Sequence, residues 1–107
     1  MIIAGRISAM LLCSIAVTCA CAQQKAANLY KANCAACHGA AGDANTPAGK
    51  AFKVPSFSSD MVVKESDSEM LTIAKNGKGK MPAWHDKLTD EQLHELVAYI
   101  RTLQKNP

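Results

Sequence analysis

The sequence predicts a small all-α fold of three to four helices, and three observations carry that expectation. No stretch shows recurrent strand periodicity. Ser66-Asp67-Ser68-Glu69 and Thr89-Asp90-Glu91-Gln92 each have the form of a capping box, and each is followed by apolar residues at helical spacing. Lys25 to Ala36 is rich in alanine, lacks glycine and proline, and spaces Ala26, Leu29, Tyr30 and Asn33 as one helical face. At 107 residues and a net charge of +3, the chain has room for one small domain.

The first residues are expected to stand apart from that domain. Arg6 precedes an apolar run from Ile7 to about Val17, and Ala20-Cys21-Ala22 offers small residues for cleavage before Gln23. This is the layout of a secretory signal peptide at 1–22, leaving a domain of 23–107 in an exported, periplasmic setting. The run is short for a membrane span, which needs about 20 apolar residues. Cleavage there removes Cys13, Cys19 and Cys21 and leaves Cys34 and Cys37 as the remaining cysteines. Lipid attachment at Cys21 or Cys19, or an uncleaved N-terminal anchor, is the alternative, against which Thr18-Cys19-Ala20 makes a poor lipoprotein box.

The first helix is expected to lead into Cys34-Ala35-Ala36-Cys37-His38. Two thiols three positions apart with an imidazole directly after the second form a covalent haem attachment motif. Helical spacing puts both sulfurs on one face and brings His38 one turn beyond Cys34, so the imidazole can reach the iron. A thioredoxin-like redox pair would need a βαβ context, and a zinc site a second ligand pair; the sequence supplies neither. A domain with one Trp, two Tyr and two Phe also has a thin core, which a bonded porphyrin would complete.

Gly39 ends this helix, and Gly39 to Lys53 reads as a long loop around one edge of the cofactor. In Val54-Pro55-Ser56-Phe57 the Pro55 carbonyl could accept the Nδ1 proton of His38, with Pro47 as the rival acceptor. A short turn is expected at Asp60 to Lys64. A helix from Asp67 to about Asn76 follows, stopped by Gly77. Lys78-Gly79-Lys80-Met81-Pro82-Ala83-Trp84 cannot be regular helix. A methionine held there beside proline suits a thioether ligand on the second axial face, and His85, Met61 and Met70 are the fallback donors. The last helix runs from the Thr89 cap to about Leu103. Leu88 and Leu93 staple its start, and His94 lies off its apolar stripe, at the surface.

With Cys34, Cys37, His38, Met81 and a terminal amphipathic helix in place, Lys25 to Leu103 resembles a class I mono-haem c-type cytochrome of the small exported bacterial type. The resemblance implies a small cytochrome c fold in which the N- and C-terminal helices cross, Ala26 and Tyr30 meeting Leu96 and Tyr99 near perpendicular. It places Pro55 as the partner of His38 and Phe57 against the haem. It implies one covalent haem c, held by His38 and Met81 as iron ligands, in a monomer that carries single electrons and catalyses no reaction of its own. The expected partners are redox proteins such as a membrane oxidase, reductase or dehydrogenase. A membrane is met only through such a partner or an N-terminal anchor. Lys50, Lys53, Lys75, Lys78, Lys80 and Lys87 could steer an acidic partner, whereas scattered basic residues with no aromatic platform give no reason to expect nucleic acid. The alternative is a haem enzyme subunit, or a gas- or peroxide-reactive sensor, with an open or labile sixth site.

Overall fold

The computed structural model describes residues 13–105, with side chains from 18 to 104. The Arg6 flank and most of the apolar run of the expected signal peptide lie outside the described residues or side chains. Among the described residues, no helix is long and apolar enough to cross a membrane. The described elements are α1 (Cys13–Asn33), α2 (Ala35–His38), α3 (Pro47–Ala51), α4 (Asp60–Val63), α5 (Asp67–Asn76) and α6 (Asp90–Lys105). Three are long and three are single turns. The architecture is helical, as expected, apart from an isolated bridge between Lys78 and Met81.

Two boundaries differ from expectation. The first helix begins well before Lys25, and it stops at Asn33 instead of running on to Ala36. Cys34 takes φ −119° and ψ −35°, a step out of helical geometry, and a separate turn carries Cys37 and His38. The Asn33 side-chain amide donates to the Leu29 carbonyl at 2.9 Å at this step. Side-chain competition for helix carbonyls is what makes asparagine a weak helix residue.

The second difference is α3, a turn of helix inside the stretch expected to be loop. Thr46 caps it, accepting the Gly49 N–H at 2.8 Å, and Pro47 opens it. Thr-Pro is a start signal with a physical basis: the hydroxyl takes an orphan amide, and proline has none to lose. Lys53, just past its end, sits at φ +55° while Val54 N–H returns to the Gly49 carbonyl at 2.9 Å. Glycine normally fills such a left-handed position. Lys53→Gly is expected to stabilise the protein by about 0.5–1 kcal/mol, seen as a higher urea midpoint at unchanged slope.

The later elements follow their signals. Ser66 Oγ accepts from Glu69 N–H at 3.1 Å, and Glu69 Oε2 accepts from Ser66 N–H at 2.7 Å. The bond from the Ser66 backbone, followed by that with its hydroxyl, holds the Glu69 carboxyl below its usual range. Its stabilisation is therefore present at neutral pH and is lost as pH falls through the lowered value. At α6 the reciprocal bonds are Thr89 N–H to Gln92 Oε1, 2.9 Å, and Gln92 N–H to Thr89 Oγ1, 3.1 Å. His94 is exposed, as expected.

The core forms where α1 lies against α6. Tyr30, Phe57, Val62, Leu93 and Leu96 make one buried cluster, and Tyr99 and Leu88 pack on it. Ala26 is 4% exposed, small enough for close helix approach. The rings of Tyr30 and Tyr99 lie 5.2 Å apart, so the expected α1–α6 contact is present. The Tyr30 hydroxyl donates to the Gly39 carbonyl at 2.6 Å, tying α1 to the end of the cysteine motif. Burial pushes the Tyr30 phenol well above its usual range, so it stays a neutral donor.

Candidate functional site

Beside this core lies a cavity of about 460 Å³, within the range of cofactor sites. Cys34, Cys37 and His38 line it from the α1–α2 step. Met81, Pro82 and Trp84 line it from the segment after α5, and Leu93, Leu96, Val97 and Ile100 from α6. Pro55 and Phe57 also line it, so all six residues singled out in the sequence border one space.

The thiols and the imidazole have distinct surroundings. Burial, helped by the neighbouring Cys37, pushes the Cys34 thiol up to about 11, so it is protonated at neutral pH. Burial holds His38 below its usual value, which keeps the imidazole neutral and a ring lone pair free. His38 lies flat on Phe57, with ring centroids 4.5 Å apart and planes at 13°. Its Nδ1 is buried with no hydrogen-bond partner. The bond expected from Nδ1 to the Pro55 carbonyl is thus not formed in this structure. Pro47, the rival acceptor, does not line the cavity.

A latch missed in the sequence holds the motif in place. Thr46 Oγ1 donates to the Cys37 carbonyl at 2.9 Å while accepting from Gly49. Gly49 permits this contact, because a Cβ there would stand 2.5 Å from the Cys37 carbonyl oxygen and would also strike the Ala44 carbonyl. The Thr46-Pro47 pair was the available signal.

Met81 sits in a strap fastened at both ends. Gly77 closes α5 at φ +76°, and Trp84 and His85 N–H groups bond back to the Ala74 and Lys75 carbonyls at 3.1 and 3.2 Å. Between them Lys78 and Met81 exchange both backbone hydrogen bonds, at 2.9 and 3.1 Å. Of the fallback donors, Met61 and Met70 line the cavity. His85 does not; it is exposed and its Nδ1 lies 2.9 Å from Asp86.

Lys53, Lys78 and Lys80 line the mouth and are exposed, as are Phe52 at 50% and Met61 at 66%. Two of the expected steering lysines are otherwise engaged. Lys75 pairs with Asp90 at 3.0 Å, and the Lys87 ammonium lies 5.1 Å from the Trp84 ring centre.

Two thiols, a neutral imidazole and a thioether around an apolar space are the donor set for an iron porphyrin joined to the chain, and the residues present fit that group. Among the described residues, no group of three or more His, Cys, Asp and Glu is placed to hold a metal ion.

Comparison with known proteins agrees. Residues 22–100 match the family model described as cytochrome c oxidase, cbb3-type, subunit III. The chain is 38% identical over 79 residues to cytochrome c6 of Bryopsis maxima, covering 69% of this chain and 83% of that protein. It is 32% identical over 88 residues to the cbb3-type cytochrome c oxidase subunit CcoP of Azospirillum brasilense, covering 80% of this chain and 30% of that protein. Among solved structures, the KustC0563 c-type cytochrome is similar at a TM-score of 0.68 and 27% identity, over 74% of this chain and 96% of that one.

Proposed function

The chain belongs to the class I c-type cytochromes, matching the family model of the cbb3-type subunit III, and from that premise we propose that it carries one haem c and passes single electrons between exported redox partners. The observation that carries this reading is the gathering of Cys34, Cys37, His38 and Met81 around one apolar cavity. A bound haem would supply a one-electron Fe(III)/Fe(II) couple. Cys34 and Cys37 would anchor it through thioethers, and His38 and Met81 would be the side chains that hold its iron. Two protein donors of this kind would keep small molecules from the iron, which suits a carrier better than an enzyme. Phe57 backs the imidazole, and the Pro55 carbonyl is the proposed acceptor for its Nδ1–H in the haem-bound protein, a bond this structure does not make.

The partners are proposed to be an oxidase, reductase or dehydrogenase met outside the cytoplasm. CcoP is by name an oxidase subunit, and this chain matches a part of it. Export through a cleaved segment at 1–22 belongs to the same proposal. Mass spectrometry of the purified protein tests it directly: a haem adduct on the fragment holding Cys34 and Cys37, with a new N-terminus at Gln23, is expected. A mass without haem overturns the carrier reading.

Of the six lysines expected to steer a partner, Lys50, Lys53, Lys78 and Lys80 are exposed and outside the Asp90 and Trp84 contacts, and Phe52 and Met61 are exposed as well. Electron transfer to an acidic partner is expected to slow as salt rises, because the Debye length shrinks from about 30 Å at 0.01 M to about 8 Å at physiological strength. A rate indifferent to salt would remove the lysines from docking.

A further inference from the structure

We propose that Thr46 is a positioning residue for the His38 imidazole, its hydroxyl setting how the segment that carries Pro55 stands against the ring. The inference rests on the reading of His38 as an axial ligand with the Pro55 carbonyl as acceptor for its Nδ1–H. It names the side chain that holds the two together.

The buried Nδ1 of His38 needs an acceptor in the loaded protein, and a carbonyl of residues 54–57 meets it only if that segment is held in register with the ring. The segment already lies against the imidazole, since the Phe57 ring stacks on it with centroids 4.5 Å apart and planes at 13°. It is tied on both sides of Pro55 to one stretch of chain. The Val54 N–H donates to the Gly49 carbonyl at 2.9 Å, and the Phe57 N–H to the Gly42 carbonyl at 2.9 Å. The position of Pro55 therefore follows that of residues 42–49.

Those residues are fixed in turn to the cysteine motif. The Ala44 N–H donates to the His38 carbonyl at 2.8 Å, and Thr46 Oγ1 donates to the Cys37 carbonyl at 2.9 Å. The direction of the hydroxyl is forced. The Cys37 carbonyl can only accept, and the Gly49 N–H, 2.8 Å from the same Oγ1, can only donate. One hydroxyl thus joins the carbonyl beside His38 to Gly49, whose own carbonyl holds the residue before Pro55. Capping α3 uses only the accepting half of that hydroxyl. The donating half serves no helix and ties the loop to the motif.

Three substitutions separate the two halves. Thr46→Ser keeps both. Thr46→Asp keeps an acceptor for the Gly49 N–H, and so the cap, but brings no proton to the Cys37 carbonyl. Thr46→Val keeps the shape and loses both. The readout is solvent exchange of the His38 Nδ1–H, followed by proton NMR of the reduced holoprotein. Exchange is expected to be about tenfold faster in Thr46→Asp and Thr46→Val, and to stay within about twofold of the unsubstituted protein in Thr46→Ser. The midpoint potential is compared between the two uncharged variants. It is expected to be higher in Thr46→Val than in Thr46→Ser, because a weaker bond at Nδ1 makes the imidazole a poorer donor to Fe(III).

A role limited to capping would leave Thr46→Asp with the exchange rate of the unsubstituted protein, and that result overturns the proposal. Should Thr46→Val fail to accumulate, Thr46→Asp against Thr46→Ser still decides. A mass without haem withdraws the carrier reading and this inference together. A haem-bearing unsubstituted protein whose Nδ1–H exchanges freely removes the Pro55 acceptor, and this inference with it. Haem present, with an Nδ1–H that stays protected in Thr46→Asp, overturns the positioning role alone.

Discussion

Met81→Ala is expected to abolish the sulfur-to-iron charge-transfer absorption of the ferric protein, lower its midpoint potential and let the ferrous form bind carbon monoxide. On the proposed His38 and Met81 ligation, the physical reason is the loss of a soft thioether donor, since a Met/His pair favours the reduced state over other ligand sets. His85, the nearest imidazole in sequence, is turned to solvent beside Asp86. Met70 and Met61 line the cavity from α5 and α4, so they are the sulfurs that could compete for the vacated position. Retention of the absorption in the variant would mean that another sulfur holds the iron, and the double variants with Met61 and Met70 would then identify it.

Gly77→Ala is expected to cost about 2–3 kcal/mol and to loosen Met81, the proposed ligand. Its φ of +76° disfavours any side chain, and a Cβ would stand 2.5 Å from the Met81 carbonyl oxygen and 3.0 Å from both the Ala83 nitrogen and the Pro82 carbonyl carbon. All three neighbours are backbone, so none can swing aside as a flexible side chain would. The strap must move as a unit and take Met81 with it. Urea unfolding would read the stability loss. The fraction of protein retaining the charge-transfer absorption, followed with temperature, would read the ligand. Lower stability with full absorption at every temperature below unfolding would separate Gly77 from ligand placement.

What could be read from the chain alone was what is written locally. The Ser66–Glu69 and Thr89–Gln92 boxes specify their helix starts within four residues, and the structure makes all four reciprocal bonds. The cysteine motif and the methionine strap were legible for the same reason. The Thr46-Pro47 start was also local, but the glycines around it suggested loop, and the single helical turn went unread. The break at Cys34 and the roles of Thr46 and Arg101 depend on tertiary partners. Arg101 reads as a helix-dipole residue until Asp67 and Glu65 are brought beside it, 34 and 36 positions away in the chain. The Pro55–His38 pairing requires a position of the 54–57 segment that spacing does not encode.

The apolar stripe of α6 serves two surfaces at once. Leu93 and Leu96 belong to the buried cluster against α1, and the same residues, with Val97 and Ile100, form a wall of the cavity. Protein and prosthetic group therefore share one interior, and the chain before loading is a domain with part of its filling missing. A chain without the group would leave that shared apolar wall facing an open cavity, so it is expected to be cleaved faster by protease than the loaded chain, which limited proteolysis of the two forms would measure.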